Sequence, residues 1–194
     1  GPDDRHHGGW ALLQRLRPRG TRLRRPRFLC RRWPVDTFRS LHPLQTLLDA
    51  HRQEDMAQSY IRMYQQSGWM PSFPSVAGEQ AVMIGHHAAA FILDLYEKGY
   101  RDFDVEQAYE GIRKNATEAT LLPWSRAPLT PLDKVYFEKG FFPALAHGEK
   151  ETVRQVTEER RQAVSVTIEN SYDDWCLGQL ARALGKTKDA AYFT

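Results

Sequence analysis

A chain of 194 residues, 41% of them hydrophobic, is long enough for one packed domain or for part of a larger one. Two cysteines, Cys30 and Cys176, exclude a disulfide framework and a cysteine metal site, and no apolar run is long enough to span a bilayer. The net charge of +3 conceals a split: residues 1–34 hold ten arginines, no lysine and only Asp3 and Asp4 as acids, about +8, which leaves about −5 for the rest.

Residues 1–34 show no lasting period of 3.6 or 2. Arg, Pro, Gly and Leu dominate, and such a segment buries too little apolar area to offset the entropy of ordering it. It is therefore expected to be disordered. Two readings stand: a basic arm for nucleic acid or another anionic surface, or the product of a GC-rich gene read out of frame. The abrupt change at Val35-Asp36 into well-patterned sequence favours the second. The start Gly1-Pro2-Asp3-Asp4 carries no signal-peptide pattern.

From Asp36 onward the pattern is helical. His42–Ala50 reads as a short helix with Pro43 in its first turn. Gln53–Gln66 follows, with Met56, Tyr60, Met63 and Tyr64 on one face and Gly68 as the C-terminal glycine. Trp69–Gly78 is a loop, since Pro71 and Pro74 break regular structure. Val82–Lys98 reads as one strongly apolar helix ended by Gly99. Asp102 or Asp104 caps the next, which runs to about Thr117. Leu121–Pro131 is irregular. Thr130-Pro131-Leu132-Asp133 resembles a capping box, with Asp in place of the usual Glu or Gln, and opens a helix that stops at Gly140. Phe141–Glu149 is a loop, and Glu151–Arg161 a polar stretch open to a helical reading. Val164–Leu184 is a long helix ended by Gly185, and Asp189–Thr194 begins another. No strand pattern and no internal repeat is present. The expectation is an all-α chain of stacked helical hairpins, with its long aromatic loops gathered at one end.

Candidate chemistry is sparse. Asp36 lies just before a helix, where an acid is most often a cap; with Trp33 it could instead face a sugar, ring on the apolar face and carboxylate on the hydroxyls. Glu79 and the pair His86-His87 lie in and after the aromatic loop. Adjacent on a helix, His86 and His87 point about 100° apart, too divergent to share a metal easily, one to the core and one to the cleft. Glu169, Tyr172, Asp173, Asp174 and Trp175 form the densest cluster. Glu169 and Asp173, four apart, share a helix face. They are not a glycosidase pair, because that chemistry needs carboxyls on opposite sides of the sugar bond. They are left with binding hydroxyls, orienting a neighbour or joining helices. No nucleophile–His–acid order, phosphate loop or dinucleotide fingerprint occurs.

Four stretches, VDTFRSLHPLQTL (35–47), MYQQSGWMPSFP (63–74), VMIGHHAAAFILDLYEKGYRDFDVEQAYEGIRKNATE (82–118) and VSVTIENSYDDWCLGQLARALGKTKDAAYF (164–193), together resemble glycoside hydrolase family 92 in their order and spacing. The resemblance covers about four-fifths of the chain. It implies an exo-acting α-mannosidase that releases terminal mannose with inversion and depends on calcium. It also implies an N-terminal β-sandwich followed by an (α/α)6 toroid, of which residues 35–194 would be an early part. Many such enzymes are secreted or periplasmic. By the same resemblance Asp36 matches the aspartate of the family's Trp-Asp-Thr-Phe-Arg motif in the mannose pocket, although Val35 stands where the family has Trp. Arg39, Trp69, Glu79 and His87 match recurring positions around the cleft. The general acid and base of the family lie in later motifs that this chain does not contain. The expectation is an inactive, partial toroid that exposes apolar helix faces and is prone to aggregate. Its ligand would be a mannose-containing glycan, with calcium as cofactor, no membrane span, and nucleic-acid binding through residues 1–34 as the rival reading.

Overall fold

The computed structural model describes residues 37–75, 78–79, 82–123, 128–157 and 160–194. The basic segment 1–34 and Asp36 lie outside them. Seven helices carry the described chain: α1 Leu41–Leu48, α2 Ala50–Ser67, α3 Ala88–Glu97, α4 Val105–Glu118, α5 Pro131–Lys139, α6 Ala163–Ala183 and α7 Thr187–Tyr192. One two-residue antiparallel pair, β1 Pro74–Ser75 with β2 Gly78–Glu79, is the only sheet among the described residues. The all-α reading therefore holds.

Local chemistry sets most boundaries. The Asp49 carboxylate accepts from Arg52 N–H at the start of α2, and Asp104 accepts from Gln107 N–H at the start of α4. Of the two aspartates proposed as caps for that helix, Asp104 is the one. Gly68 and Gly140 end α2 and α5 at φ +82° and +76°, a left-handed turn that glycine enters without Cβ strain. Thr130 and Asp133 complete the capping box in both directions.

Two expectations fail. Val82–Lys98 is not one helix: α3 starts only at Ala88, because Gly85 takes φ +81° and the backbone N–H of His86 turns away to the carboxylate of Asp173. Glu151–Arg161 is not helical among its described residues. The Glu151 carboxylate instead accepts from the backbone N–H groups of Thr152 and Val153 and pairs with Arg161, which also donates to the carbonyl of Pro143. That competition draws a polar stretch out of the helix, and the Arg161 partnership, with the two N–H groups, holds the Glu151 carboxyl down to about 2.

The main core lies where α2, α3, α4 and α6 meet, around Tyr60, Ile61, Phe91, Ile92, Leu95, Ile112, Leu177 and Leu180. A second cluster, Leu121, Leu122, Leu132, Tyr136, Phe142 and Val166, joins α5 to the start of α6. The packing is close: a Cβ added at Gly111 would stand 2.6 Å from Met70 Cγ. α6 is apolar on two faces. Cys176, Leu177, Leu180 and Ala181 are buried, while Val164, Ile168, Tyr172 and Trp175 form an exposed stripe, as do Leu44, Leu47 and Leu48 on α1. Among the described residues no helix is long and apolar enough to cross a membrane.

Candidate functional site

The densest polar cluster forms where residues 37–39, the N-terminus of α3 and one face of α6 converge. The spacing of Glu169 and Asp173 places both on the α6 face that meets α3. Asp173 is 2% exposed. Its Oδ2 accepts from His86 N–H at 2.5 Å, and its Oδ1 lies 3.1 Å from His87 Nδ1. Burial pushes the Asp173 carboxyl above the ordinary carboxylate range, opposed by the His87 hydrogen bond and the His86 N–H. His87, also 2% exposed, stands just before the first residue of α3 rather than inside it. Its Nε2 lies 3.7 Å from Glu169 Oε2, within ion-pair range but beyond a hydrogen bond. Glu169 Oε1 in turn accepts from Arg39 Nη2 at 2.7 Å.

An aromatic stack runs through the same place. Phe38 lies on the His87 ring at 4.4 Å and 25°, Tyr172 follows at 5.6 Å from Phe38, and Trp175 at 6.2 Å from Tyr172. The guanidinium of Arg39 sits 4.9 Å over Phe38. Beside this stack opens a cleft of about 450 Å³, walled by Phe38, Arg39, Asp94, Glu169 and Tyr172 among others. An ion pair and two rings on one concave wall suit a ligand with hydroxyls on its edge and an apolar face.

The structure thus brings Arg39 and His87 together through Glu169. His87 reaches the cleft only from behind Glu169. Trp69 is placed elsewhere: its ring lies 4.6 Å from Lys114 Nζ at the corner of α2 and α4, and the next residue, Met70, is clamped by the side chain of Asn115. Glu79 is described by its backbone alone, which pairs with Pro74. Sequence reasoning did not assign Phe38, Asp94 or Tyr172 to the wall; only the shared face of Glu169 and Asp173 pointed to this side of α6.

Asp174 diverges from Asp173, as the 100° step requires, and serves a different cleft, accepting from Tyr136 Oη at 2.8 Å. Burial raises its carboxyl to about 7. A carboxyl whose folded value lies above its unfolded one, 3.8, stabilises the fold below that lower value and loses the contribution as pH rises through about 7. The substitution Asp174→Asn is therefore expected to leave Tm little changed at pH 4 and to raise it increasingly towards pH 8. A difference in Tm that stays flat from pH 4 to pH 8 would contradict this. Cys176 is 1% exposed, and burial pushes its thiol up to about 12, away from the thiolate form a nucleophile needs.

Calcium takes six to eight oxygen ligands. Among the described residues no group of three His, Cys, Asp or Glu side chains could hold a metal. The carboxylates at the cleft are engaged by cations, Glu169 by Arg39 and Asp94 by Lys98. By themselves these residues do not fit a calcium shell.

The comparisons with known proteins agree with one another. The model of the glycosyl hydrolase family 92 catalytic domain matches residues 28–194. An uncharacterized secreted glycosidase of Arthroderma benhamiae is 32% identical over 130 residues, 63% of this chain and 15% of that protein. The family GH92 inverting mannosidase BT2199 of Bacteroides thetaiotaomicron superposes with a TM-score of 0.67 at 29% identity, covering 84% of this chain and 20% of that one. The family GH92 α-mannosidase BT3965 of the same organism, in complex with mannoimidazole, gives 0.65 at 30% identity, covering 81% of this chain and 18% of that one. The chain thus spans a fifth or less of the length of these relatives. With a helical fold, a matching family model over most of its length and relatives of the same kind, the chain belongs to the catalytic-domain family of glycosyl hydrolase family 92.

Proposed function

We propose that this chain contributes part of the mannoside pocket of an exo-acting α-mannosidase that hydrolyses terminal α-linked mannose of glycans with inversion. The observation that carries the reading is family membership combined with the cleft at Phe38, Arg39, Glu169 and Tyr172. Arg39, held by Glu169, offers donors to sugar hydroxyls, and the rings of Phe38 and Tyr172 suit the apolar face of a pyranose. Asp36, three residues before Arg39, is proposed to hold the mannose from outside the described residues. Glu79 and Trp69 are proposed as more distant contacts of the glycan, and His87 as a group acting through Glu169.

An inverting glycosidase places its acid and its water-activating base across the scissile bond, about 6.5–9.5 Å apart. Glu169 and Asp173 both project from one face of α6, and Asp173 is sealed behind His87. They are therefore not that pair. In this proposal the acid and base come from sequence beyond this chain, which alone is inactive. Calcium dependence and a secreted parent protein complete the reading, the latter supported by the name of the Arthroderma relative. Calcium ligands would also come from beyond the described residues.

The test is hydrolysis of a methyl or aryl α-mannoside by this sequence extended to the length of its relatives. Release of mannose, first seen as the β-anomer and abolished by a chelator, is the expected result. Absence of release with calcium present, under conditions where the protein is folded, would overturn the proposal. The 194-residue chain assayed beside it is expected to show no turnover.

A further inference from the structure

We infer that Glu169 and Asp173 are positioning residues, which act through Arg39 and His87 to fix residues 37–39 against α6 and so set the wall of the cleft. The inference deepens, and rests on, the reading of that cleft as a mannoside pocket.

The Asp173 carboxylate, at 2% exposure, is costly to bury, and packing alone gives no reason to keep it there. Its two acceptor bonds have a directional result. With Asp173 ionised, its oxygens only accept, so Nδ1 of His87 donates to Oδ1, while Oδ2 holds the His86 N–H. One bond thus decides which ring nitrogen is turned outward, and the other fixes the backbone that carries the ring. The outward nitrogen, Nε2, faces Glu169 Oε2.

Glu169 then turns its two oxygens to two separate segments. Oε2 faces the ring on α3, and Oε1 takes Arg39 Nη2 from the lead-in to α1. Without Glu169, Arg39, whose side chain is 59% exposed, keeps only its contact over Phe38 among the contacts described for it. Phe38 completes the circuit, stacked between His87 and Tyr172 and itself 9% exposed. Gly85 leaves room for the ring, since a Cβ there would lie 2.5 Å from His87 Cε1 and 2.7 Å from Nε2. Three separate segments are thereby held in register by two carboxylates one turn apart.

The experiment uses the full 194-residue chain labelled with ¹⁵N at histidine and arginine. In the parent chain His87 is expected to show a protonated Nδ1 with a slowly exchanging proton, and Arg39 a distinct side-chain Nε–H. Asp173→Asn should abolish the first and shift the second. Glu169→Gln, at a site with a 22% exposed side chain and nearly isosteric, should shift both with an unchanged far-UV circular dichroism spectrum. Should Asp173→Asn fail to fold, Glu169→Gln decides alone. Arg39 and His87 resonances that do not move in Glu169→Gln would overturn the inference. Titration with methyl α-mannoside of this sequence extended to the length of its relatives, followed at the Arg39 Nε–H, separates it from the functional reading. A response in that protein weakened on the order of tenfold in its Glu169→Gln variant supports both. No response there counts against the mannoside pocket, while the coupling of Arg39 to His87 stands or falls on the shifts in the 194-residue chain.

Discussion

Replacing Asp133 with alanine is expected to lower stability by about 3–5 kcal/mol, reducing Tm by roughly 10 °C. The side chain is fully buried at the first turn of α5. Its Oδ2 accepts from Thr130 N–H at 2.6 Å, Thr130 Oγ1 at 2.7 Å and Thr120 Oγ1 at 2.8 Å, and its Oδ1 from Leu121 N–H at 2.7 Å. Truncation leaves two backbone donors and two hydroxyls in a pocket where water cannot replace the lost acceptor. Each buried donor left unsatisfied costs about 1–3 kcal/mol, and the lost cap adds about 1 kcal/mol. Asp133→Asn, which keeps one acceptor oxygen, is expected to fall between the two. Urea unfolding of the three proteins measures this. An alanine variant within 1 kcal/mol of the parent would show that the hub does not fasten Thr120 and Leu121 to α5.

Gly85→Ala is expected to cost about 2–4 kcal/mol and to drive the His87 ring off Asp173. At φ +81° an L side chain is strained by about 1–2 kcal/mol before any contact is counted. The new Cβ would then stand 2.5 Å from His87 Cε1 and 3.1 Å from Asp173 Oδ2. Gly140 supplies the control. Its φ is +76° with nothing within 4 Å of the added carbon, so Gly140→Ala carries the backbone strain alone. Chemical denaturation gives the two costs, and the His87 Nδ1 proton reports displacement. Equal losses in the two variants would show that the close approach at Gly85 carries no energy of its own.

These two positions also show what was legible in the sequence. Thr130-Pro131-Leu132-Asp133 announced a capping box because the pattern is local, four residues that need only each other. Gly68 and Gly140 were readable for the same reason. The wider hub at Asp133 was not, because Thr120 and Leu121 reach it from another segment. Gly85 was misread. An apolar run of helical period surrounds it, and what bends the chain there is an acceptor 87 residues away on α6. β1 and β2 are too short, at two residues each, to leave an alternating pattern.

The candidate site divides in the same way. The i,i+4 spacing of Glu169 and Asp173 announced a shared face, and the motif resemblance singled out Arg39 and His87. Nothing in the spacing joined the two pairs. Their meeting is tertiary, and so is the placing of Trp69, which packs with Lys114 and does not line the cleft. Asp36, also brought forward by the motif, lies outside the described residues.

The bond from His86 to Asp173 has a cost that its short length hides. It closes a loop of 87 residues. Closure entropy grows as three-halves RT times the logarithm of loop length, so this contact costs about 2 kcal/mol more than one spanning about ten residues. A single net hydrogen bond contributes only about 1 kcal/mol. The cluster therefore does not draw α6 onto α3. The apolar seam of Phe91, Leu95, Leu177 and Leu180 brings the two helices together, and the carboxylates then select the register in which that seam comes to rest.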